Sequence, residues 1–144
     1  MSITRIPDEL RGFVRDRAQG RCEYCLIPEV LTFQRHQVDH IIAEKHGGPT
    51  EKSNLALSCV LCNVHKGTDL TSVLPVTGAI TPLFHPRRDR WDEHFSFRDG
   101  TILPKTPEGW VTARLLRFNA PERIQERLLA AGAGVAFSGV ELEK

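Results

Sequence analysis

Two Cys-x-x-Cys pairs, Cys22 with Cys25 and Cys59 with Cys62, constrain this chain more than any other feature of its sequence. Four cysteines in two such pairs have the number and pairing of a closed structural zinc site. The alternatives are two reducible dithiols or four buried apolar thiols. Because both pairs are present and the N-terminus lacks a secretory signal, we favour Zn²⁺ held by all four thiolates.

The residues between and beside the pairs offer a second kind of chemistry. Asp39, His40 and Asn54 lie between the pairs, and Asn63 directly follows the second one. Carboxylate and amide oxygens and an imidazole suit a divalent metal that keeps an open coordination position. A segment whose cysteines all bind a structural metal, and whose oxygen and imidazole ligands remain for a second cation, indicates a metal-dependent hydrolase.

Composition limits the size, charge and location of the protein. Its 144 residues suit one ordinary domain. A net charge of +1 provides no global basic field, so nucleic-acid binding would depend on local clusters. No apolar run approaches the roughly 18 residues that span a bilayer, and the first residues lack a signal peptide's apolar stretch and cleavage site. We therefore expect a cytoplasmic protein with reduced cysteines.

The sequence predicts an α+β fold. We expect a core over residues 1–75 and a C-terminal extension over residues 76–144 that packs on it. In the core we expect a helix from Pro7 to Gly20, a strand within 34–42, a second strand over 55–57 and a helix from Asn63 towards residue 74.

Beyond Pro75 we expect an irregular stretch that reaches Trp91. It is followed by a hairpin over 94–97 and 101–103, a helix from Thr106, and a helix whose cap acceptor is Asn119. Trp110 and Phe118 are predicted to be core residues. The tail after Gly132 is weakly patterned, and we expect it to be lightly docked or mobile.

Read in order, the motifs of the first half form one series. It runs Cys-x-x-Cys, Val38-Asp39-His40-Ile41-Ile42, Gly47-Gly48, Asn54-Leu55 and Cys-x-x-Cys-Asn-x-x-Lys-Gly. This series, over about residues 22–67, resembles the HNH endonuclease family. The resemblance implies a ββα-metal fold, in which two strands and a helix surround one catalytic cation. Several unlike residues in fixed order are a more specific signal than either cysteine pair alone.

The resemblance also implies a role for each residue. Asp39 and Asn63 would hold Mg²⁺ or Mn²⁺ through their oxygens, and His40 would act as general base towards water. Asn54 would bond the backbone across the loop and orient the histidine. Lys66, one helical turn from Asn63, would meet a phosphate. Histidine is common in the family where Asn63 stands, so a neutral amide there is expected to weaken metal affinity or change metal preference.

One geometric condition follows from these roles. Adjacent residues of a regular strand face opposite sides, so Asp39 and His40 can share a site only if the strand bends or ends there. His36 is expected to be a partly exposed strand histidine, and His65 is expected not to be a ligand.

The most basic short run of the chain is Arg87, Arg88 and Arg90, beside Trp91. We predict a phosphate clamp that positions nucleic acid without reading its sequence. The alternative is a solvated loop whose arginines pair with neighbouring acids.

The expected activity is hydrolysis of DNA, double-stranded in the first instance, with RNA left open. The alternatives are a non-catalytic zinc ribbon that binds nucleic acid and a protein-interaction module. The combination of Asp39, His40 and Asn63 argues against both, because neither role requires a base beside an open metal position.

Overall fold

The computed structural model describes residues 5–137, which form two compact units. The first unit comprises residues 5–68 and 85–88, and the second comprises 69–84 and 89–137. Both combine short helices with antiparallel strand pairs, so the predicted α+β class is confirmed. Within residues 5–137, no helix has the length and apolar character needed to cross a bilayer. The division between residues 75 and 76 stays a prediction.

Helix α1 of the first unit spans Asp8–Arg17. Pro7 precedes it and acids fill its first turn, where they favour the positive end of the helix dipole. Gln19 and Gly20 adopt positive φ of 57° and 70° and turn the chain away from the helix. The inner face of α1 packs on the two strands of the unit, in one apolar core made of Ile6, Leu10, Phe13, Val14, Ala18, Val38, Leu55 and Leu57.

The strands and helix that follow have the order expected of a ββα unit. Strand β1 (Gln37–His40) pairs antiparallel with β2 (Leu55–Ser58), with His40 opposite Leu55. Helix α2 (Val60–Lys66) begins directly after β2, and Cys59 caps it. Gly67, at φ 52°, ends it.

Strand β1 lies within the predicted range of residues 34–42 and ends at His40, since the side chain of Asn54 bonds both backbone groups of Ile42 that a strand partner would need. Both predicted boundaries of the helix that follows are wrong. Helix α2 begins before Asn63, because the Cys59 sulfur accepts the Cys62 N–H and so starts the first turn. The predicted continuation of the helix towards residue 74 fails at Gly67.

The second unit contains two hairpins and three helices among its described residues. Strand β3 (Thr71–Val73) pairs with β4 (Ile80–Pro82), and β5 (Phe95–Arg98) pairs with β6 (Thr101–Pro104). The helices are α3 (Trp91–His94), α4 (Pro107–Leu115) and α5 (Pro121–Gly132). Phe95 lies at the centre of the unit, where its ring contacts those of Phe84, Trp91 and Phe118.

The second hairpin and the start of α4 follow the prediction. Asp99 and Gly100 both have positive φ, 50° and 84°, as a two-residue type I′ turn requires. Thr106 caps α4 by accepting the Gly109 N–H at 3.0 Å.

Four predictions for this unit are wrong or untested. The stretch after Pro75 contains β4, because Ile80 to Pro82 returns to pair with β3. Asn119 does not cap α5, since its side chain bonds both backbone groups of Ile102. Trp110 is 37% exposed and is not a core residue. The prediction for the tail lies mostly outside the described residues.

Candidate metal centre and active site

The four cysteines meet in one buried cluster of the first unit. Their sulfur atoms all lie within 4.8 Å of one another, and those of Cys25 and Cys59 are 3.7 Å apart. A tetrahedral zinc with bonds of about 2.3 Å separates its sulfurs by about 3.8 Å. The cluster is therefore close to the size that this ion needs, and it fits zinc binding.

Matching turns at the two pairs aim the sulfurs inward. The Cys25 N–H donates to the Cys22 sulfur, and the Cys62 N–H donates to the Cys59 sulfur, each at 3.4 Å. Leu26, at φ 65°, closes the first turn, and the second is the start of α2. Hydrogen bonds with neighbouring thiols raise the pKa of Cys59, and burial raises the pKa of Cys62. Four thiolates therefore need a cation among them, which a dication supplies.

Asn54 fixes the loop that leads from one strand to the other. Its amide nitrogen donates to the carbonyls of Ile42 and Pro49, and its amide oxygen accepts the Ile42 N–H, each at 2.9 Å. Gly48 fits beside it because any Cβ there would lie 1.7 Å from the Ile42 carbonyl oxygen. This geometry matches the backbone bonding expected of Asn54.

A small cavity at the end of β1 brings most of the predicted site residues together. Its volume is about 10 Å³, close to the space of one water molecule. The residues that line it are Tyr24, Asp39, His40, Ala56, Ser58, Asn63 and Lys66. Strand β1 ends at His40. The strand therefore stops where Asp39 and His40 would have to face one site, as the predicted roles require. Burial raises the pKa of Tyr24 well above its usual range, so it lines the cavity as a neutral phenol.

His40 is 4% exposed, and only one nitrogen of its imidazole has polar partners within residues 5–137. Its Nε2 lies 2.8 Å from the Thr50 hydroxyl oxygen and 3.5 Å from a Glu44 carboxylate oxygen. The carboxylate can only accept, so the neutral ring carries its proton on Nε2 and its lone pair on Nδ1. Among the described residues, the buried Nδ1 has no hydrogen-bond partner. Such a nitrogen is available to accept a proton.

Asp39 and Asn63 carry the side-chain oxygens that could hold a cation at this cavity. Both are half-buried, and among the described residues the Asp39 carboxylate has no hydrogen bond or ion pair. The Asn63 amide nitrogen donates to the Gln37 side-chain oxygen, which leaves the Asn63 oxygen as the atom that could hold a cation. One carboxylate and one amide oxygen suit a hard cation such as Mg²⁺ or Mn²⁺, with positions left for other oxygens.

Comparison with known proteins gives a family match for the part of the chain that contains the cavity and the cysteines. Residues 22–69 match the model of the HNH endonuclease family. The resemblance predicted from the motifs is confirmed, and residues 22–69 are called the HNH segment below. The HNH segment indicates a nuclease or nucleic-acid-related function. No curated protein and no solved structure matches the chain significantly.

The predicted phosphate ligands occupy different environments. Arg88 and Arg90 are exposed, whereas Arg87 is 6% exposed and its guanidinium pairs with Glu23. Arg87 therefore does not fit the predicted clamp. Lys66 lines the cavity but is buried, and its ammonium donates to the Ile41 carbonyl at 2.9 Å. Its contact with phosphate stays a prediction.

The environment of His36 differs from the prediction, and three further residues of this unit were not predicted. His36 is 2% exposed and precedes β1, with Nε2 2.9 Å from the Ile27 carbonyl. Glu23, Glu44 and Thr50 were not singled out. Thr50 follows the Gly-Gly-Pro turn, a position that could have suggested a side chain facing back to the strand. The buried role of Glu23 leaves no signal in the sequence.

Glu23 joins three parts of the first unit. Its backbone N–H donates to the Leu57 carbonyl at 2.8 Å, and its carboxylate accepts the Leu57 N–H at 2.7 Å. The other carboxylate oxygen pairs with Arg87. Burial and the nearby Arg17 lower the pKa of Arg87 to about 10, so the guanidinium stays charged at neutral pH. The first cysteine turn thus depends on a residue that lies beyond the HNH segment.

Arg87→Met should lower the free energy of unfolding by about 3–5 kcal/mol, because it leaves the Glu23 charge buried without a partner. Adding Glu23→Gln should recover part of that loss, since the amide keeps an acceptor for Leu57 and carries no charge. Urea unfolding measures both changes. Arg88→Met, at the exposed neighbour, is the matched control and should stay within about 0.5 kcal/mol of wild type. Equal effects at the two arginines would contradict this assignment.

Proposed function

We propose that the protein is an endonuclease that hydrolyses phosphodiester bonds of DNA with one divalent cation. One observation carries the proposal: Asp39, His40 and Asn63 line a single cavity within the segment that matches the HNH family. Oxygen ligands and a base whose lone pair is unengaged are what this hydrolysis requires. A module that only binds nucleic acid needs neither.

Each residue has a distinct task in this proposal. Asp39 and Asn63 hold Mg²⁺ or Mn²⁺, which when bound stabilises negative charge on the phosphate. His40 accepts the proton of the attacking water at Nδ1, while Thr50 and Glu44 keep the other ring proton on Nε2. Asn54 keeps the loop and the end of β1 in place. Lys66 adds positive charge at the cavity wall.

The proposal extends to the substrate and the location of the protein. By the family resemblance, the products carry 5′-phosphate and 3′-hydroxyl ends. Arg88 and Arg90 are exposed, and in this proposal they contact DNA phosphates. The zinc ligands must be reduced thiols, which fits a cytoplasmic location.

The function is tested by incubating the purified, zinc-loaded protein with supercoiled plasmid, with and without Mg²⁺ or Mn²⁺. We expect nicked and linear products only where the divalent cation is present. A parallel incubation with a structured RNA shows whether the substrate is DNA alone. Tight DNA binding without cleavage under any of these conditions would instead identify a binding module.

Thr50→Val should lower the cleavage rate about 10- to 100-fold, because the imidazole loses its shorter hydrogen bond at Nε2 and with it a fixed orientation. The substitution preserves the shape of the side chain. Thr50→Ser, which keeps the hydroxyl, should stay close to wild type. Single-turnover cleavage at saturating Mg²⁺ measures the effect. If the valine and serine variants cleave equally fast, Thr50 does not position His40.

A further inference from the structure

The second unit carries an exposed surface that the HNH segment does not account for. Two open depressions, of about 450 Å³ and about 440 Å³, are both lined by Trp110, Arg114 and Arg117. Pro104 and Asn119 contribute to the first depression. Their volumes lie in the range of about 300–1,000 Å³ that is typical of ligand sites. We call the three shared residues the Trp110 surface.

An aromatic ring and a guanidinium form the centre of this surface. The Arg114 guanidinium carbon lies 5.5 Å from the centre of the Trp110 ring. The indole is 37% exposed, whereas the other tryptophan of the chain, Trp91, is 4% exposed. An exposed indole beside a guanidinium offers a flat π surface together with positive charge. Nucleobases stack on such platforms.

Arg117 stands at a strained backbone position. It lies just beyond the end of α4 with φ 53°, in the left-handed conformation that glycine normally supplies after a helix. A side chain there is strained relative to glycine, because its Cβ approaches the following carbonyl oxygen. The backbone around it is well bonded, since the Phe118 N–H donates to the Ala113 carbonyl at 2.9 Å. Strain that is held in place by its surroundings often marks a functional residue.

The charge of the surface selects an anionic partner. Neither depression is lined by an acidic residue. Among the described residues, the Arg114 and Arg117 side chains have no ion-pair partner. Two uncompensated guanidinium groups flank the π surface, so a ligand that combines phosphates with unpaired bases complements it.

We propose that the Trp110 surface binds single-stranded nucleic acid, with an unpaired base against Trp110 and phosphates at Arg114 and Arg117. This binding does not depend on hydrolysis in the first unit. It would give the protein a site for strands that are already open, such as a flap, a gap or a loop.

The test is a fluorescence titration of the full-length protein with oligo(dT) in buffer without divalent cations, where no cleavage occurs. Binding should quench the exposed indole, and Trp110→Leu should weaken the affinity about tenfold or more. Arg114→Met should reduce the slope of log affinity against log salt by about 0.7, the value for one contact with a single strand. Because Trp110→Leu lacks the indole that reports binding, its affinity is measured by the fluorescence anisotropy of a labelled oligonucleotide.

Arg117→Gly separates binding from folding. It should weaken oligo(dT) binding while raising the melting temperature, because glycine relieves the strained φ. Arg98→Met is the matched control, since Arg98 is an exposed arginine of the same unit that lines neither depression. It should leave both quantities unchanged.

Two outcomes would overturn the proposal. One is wild-type affinity for oligo(dT) in both Trp110→Leu and Arg117→Gly. The other is equal affinity for an oligoglutamate peptide of the same charge, which would indicate an acidic protein partner. Because no step of the titration requires cleavage, failure of the nuclease proposal leaves this result interpretable.

Discussion

Removal of zinc is expected to unfold the first unit. Four buried thiols form its metal cluster, and one of them, Cys59, also caps helix α2. Structural zinc sites of this kind contribute about 10–16 kcal/mol of apparent binding free energy at neutral pH. That is comparable to the whole stability of an ordinary domain, about 5–15 kcal/mol. We therefore expect loss of the ion to be larger in effect than any single side-chain substitution.

Elemental analysis should find one zinc per chain, and a strong chelator should abolish the cooperative melting of the first unit. Addition of zinc to the stripped, reduced protein should restore it. Replacement by Co²⁺ should produce thiolate charge-transfer absorption, which Cys62→Ser should weaken. A metal-free protein that melts at the original temperature with four reactive thiols would remove the structural zinc site.

His40→Ala is expected to lower the cleavage rate by about 10²–10⁴, the usual contribution of a positioned general base. The reason lies in the ring nitrogens: Nε2 is engaged by Thr50, and the buried Nδ1 is left to accept a proton. Zinc content should not change, since His40 contributes no ligand to the thiol cluster. Single-turnover cleavage by the zinc-loaded variant measures the loss.

His36→Ala is the matched control for this substitution. His36 is also buried, with one ring nitrogen 2.9 Å from a backbone carbonyl and the other without a hydrogen-bond partner in the described part of the chain. It does not line the cavity. The variant should lose stability but keep its cleavage rate at temperatures where it is folded. A rate loss of the same size in both variants would assign the effect of His40 to folding.

The sequence predicted the parts of the site that are encoded by spacing. The cysteine pairs, Asn54 and the Asp39-His40 step lie in one contiguous segment, and local turns bring them together. Contacts between residues that are far apart in the sequence could not be predicted in this way. Arg87 belongs to the first unit through a buried charge pair with Glu23, 64 positions away, and in the sequence it is indistinguishable from its exposed neighbour Arg88.

Elements built from exposed residues were also missed. Strands β3 and β4 have three residues each, and Val73 and Ile80 are 53% and 75% exposed while Thr81 is buried, so the usual pattern of buried apolar and exposed polar residues was not visible in the sequence. Trp110 shows the same limit, because an aromatic residue on a helix predicts burial unless the structure leaves that face open.

A divalent-metal titration of plasmid cleavage tests most directly the proposal that Asp39 and His40 serve one hydrolytic site in different ways. Asp39→Ala should shift the metal dependence of cleavage to higher Mg²⁺ or Mn²⁺ and recover part of its activity there. Asn63→Ala should shift it less, because it removes a neutral ligand. His40→Ala should keep the metal dependence of wild type at a rate about 10²–10⁴ lower. Cleavage that metal restores in His40→Ala but not in Asp39→Ala would reverse the two roles, and a wild-type protein that shows no metal-dependent cleavage would contradict the account.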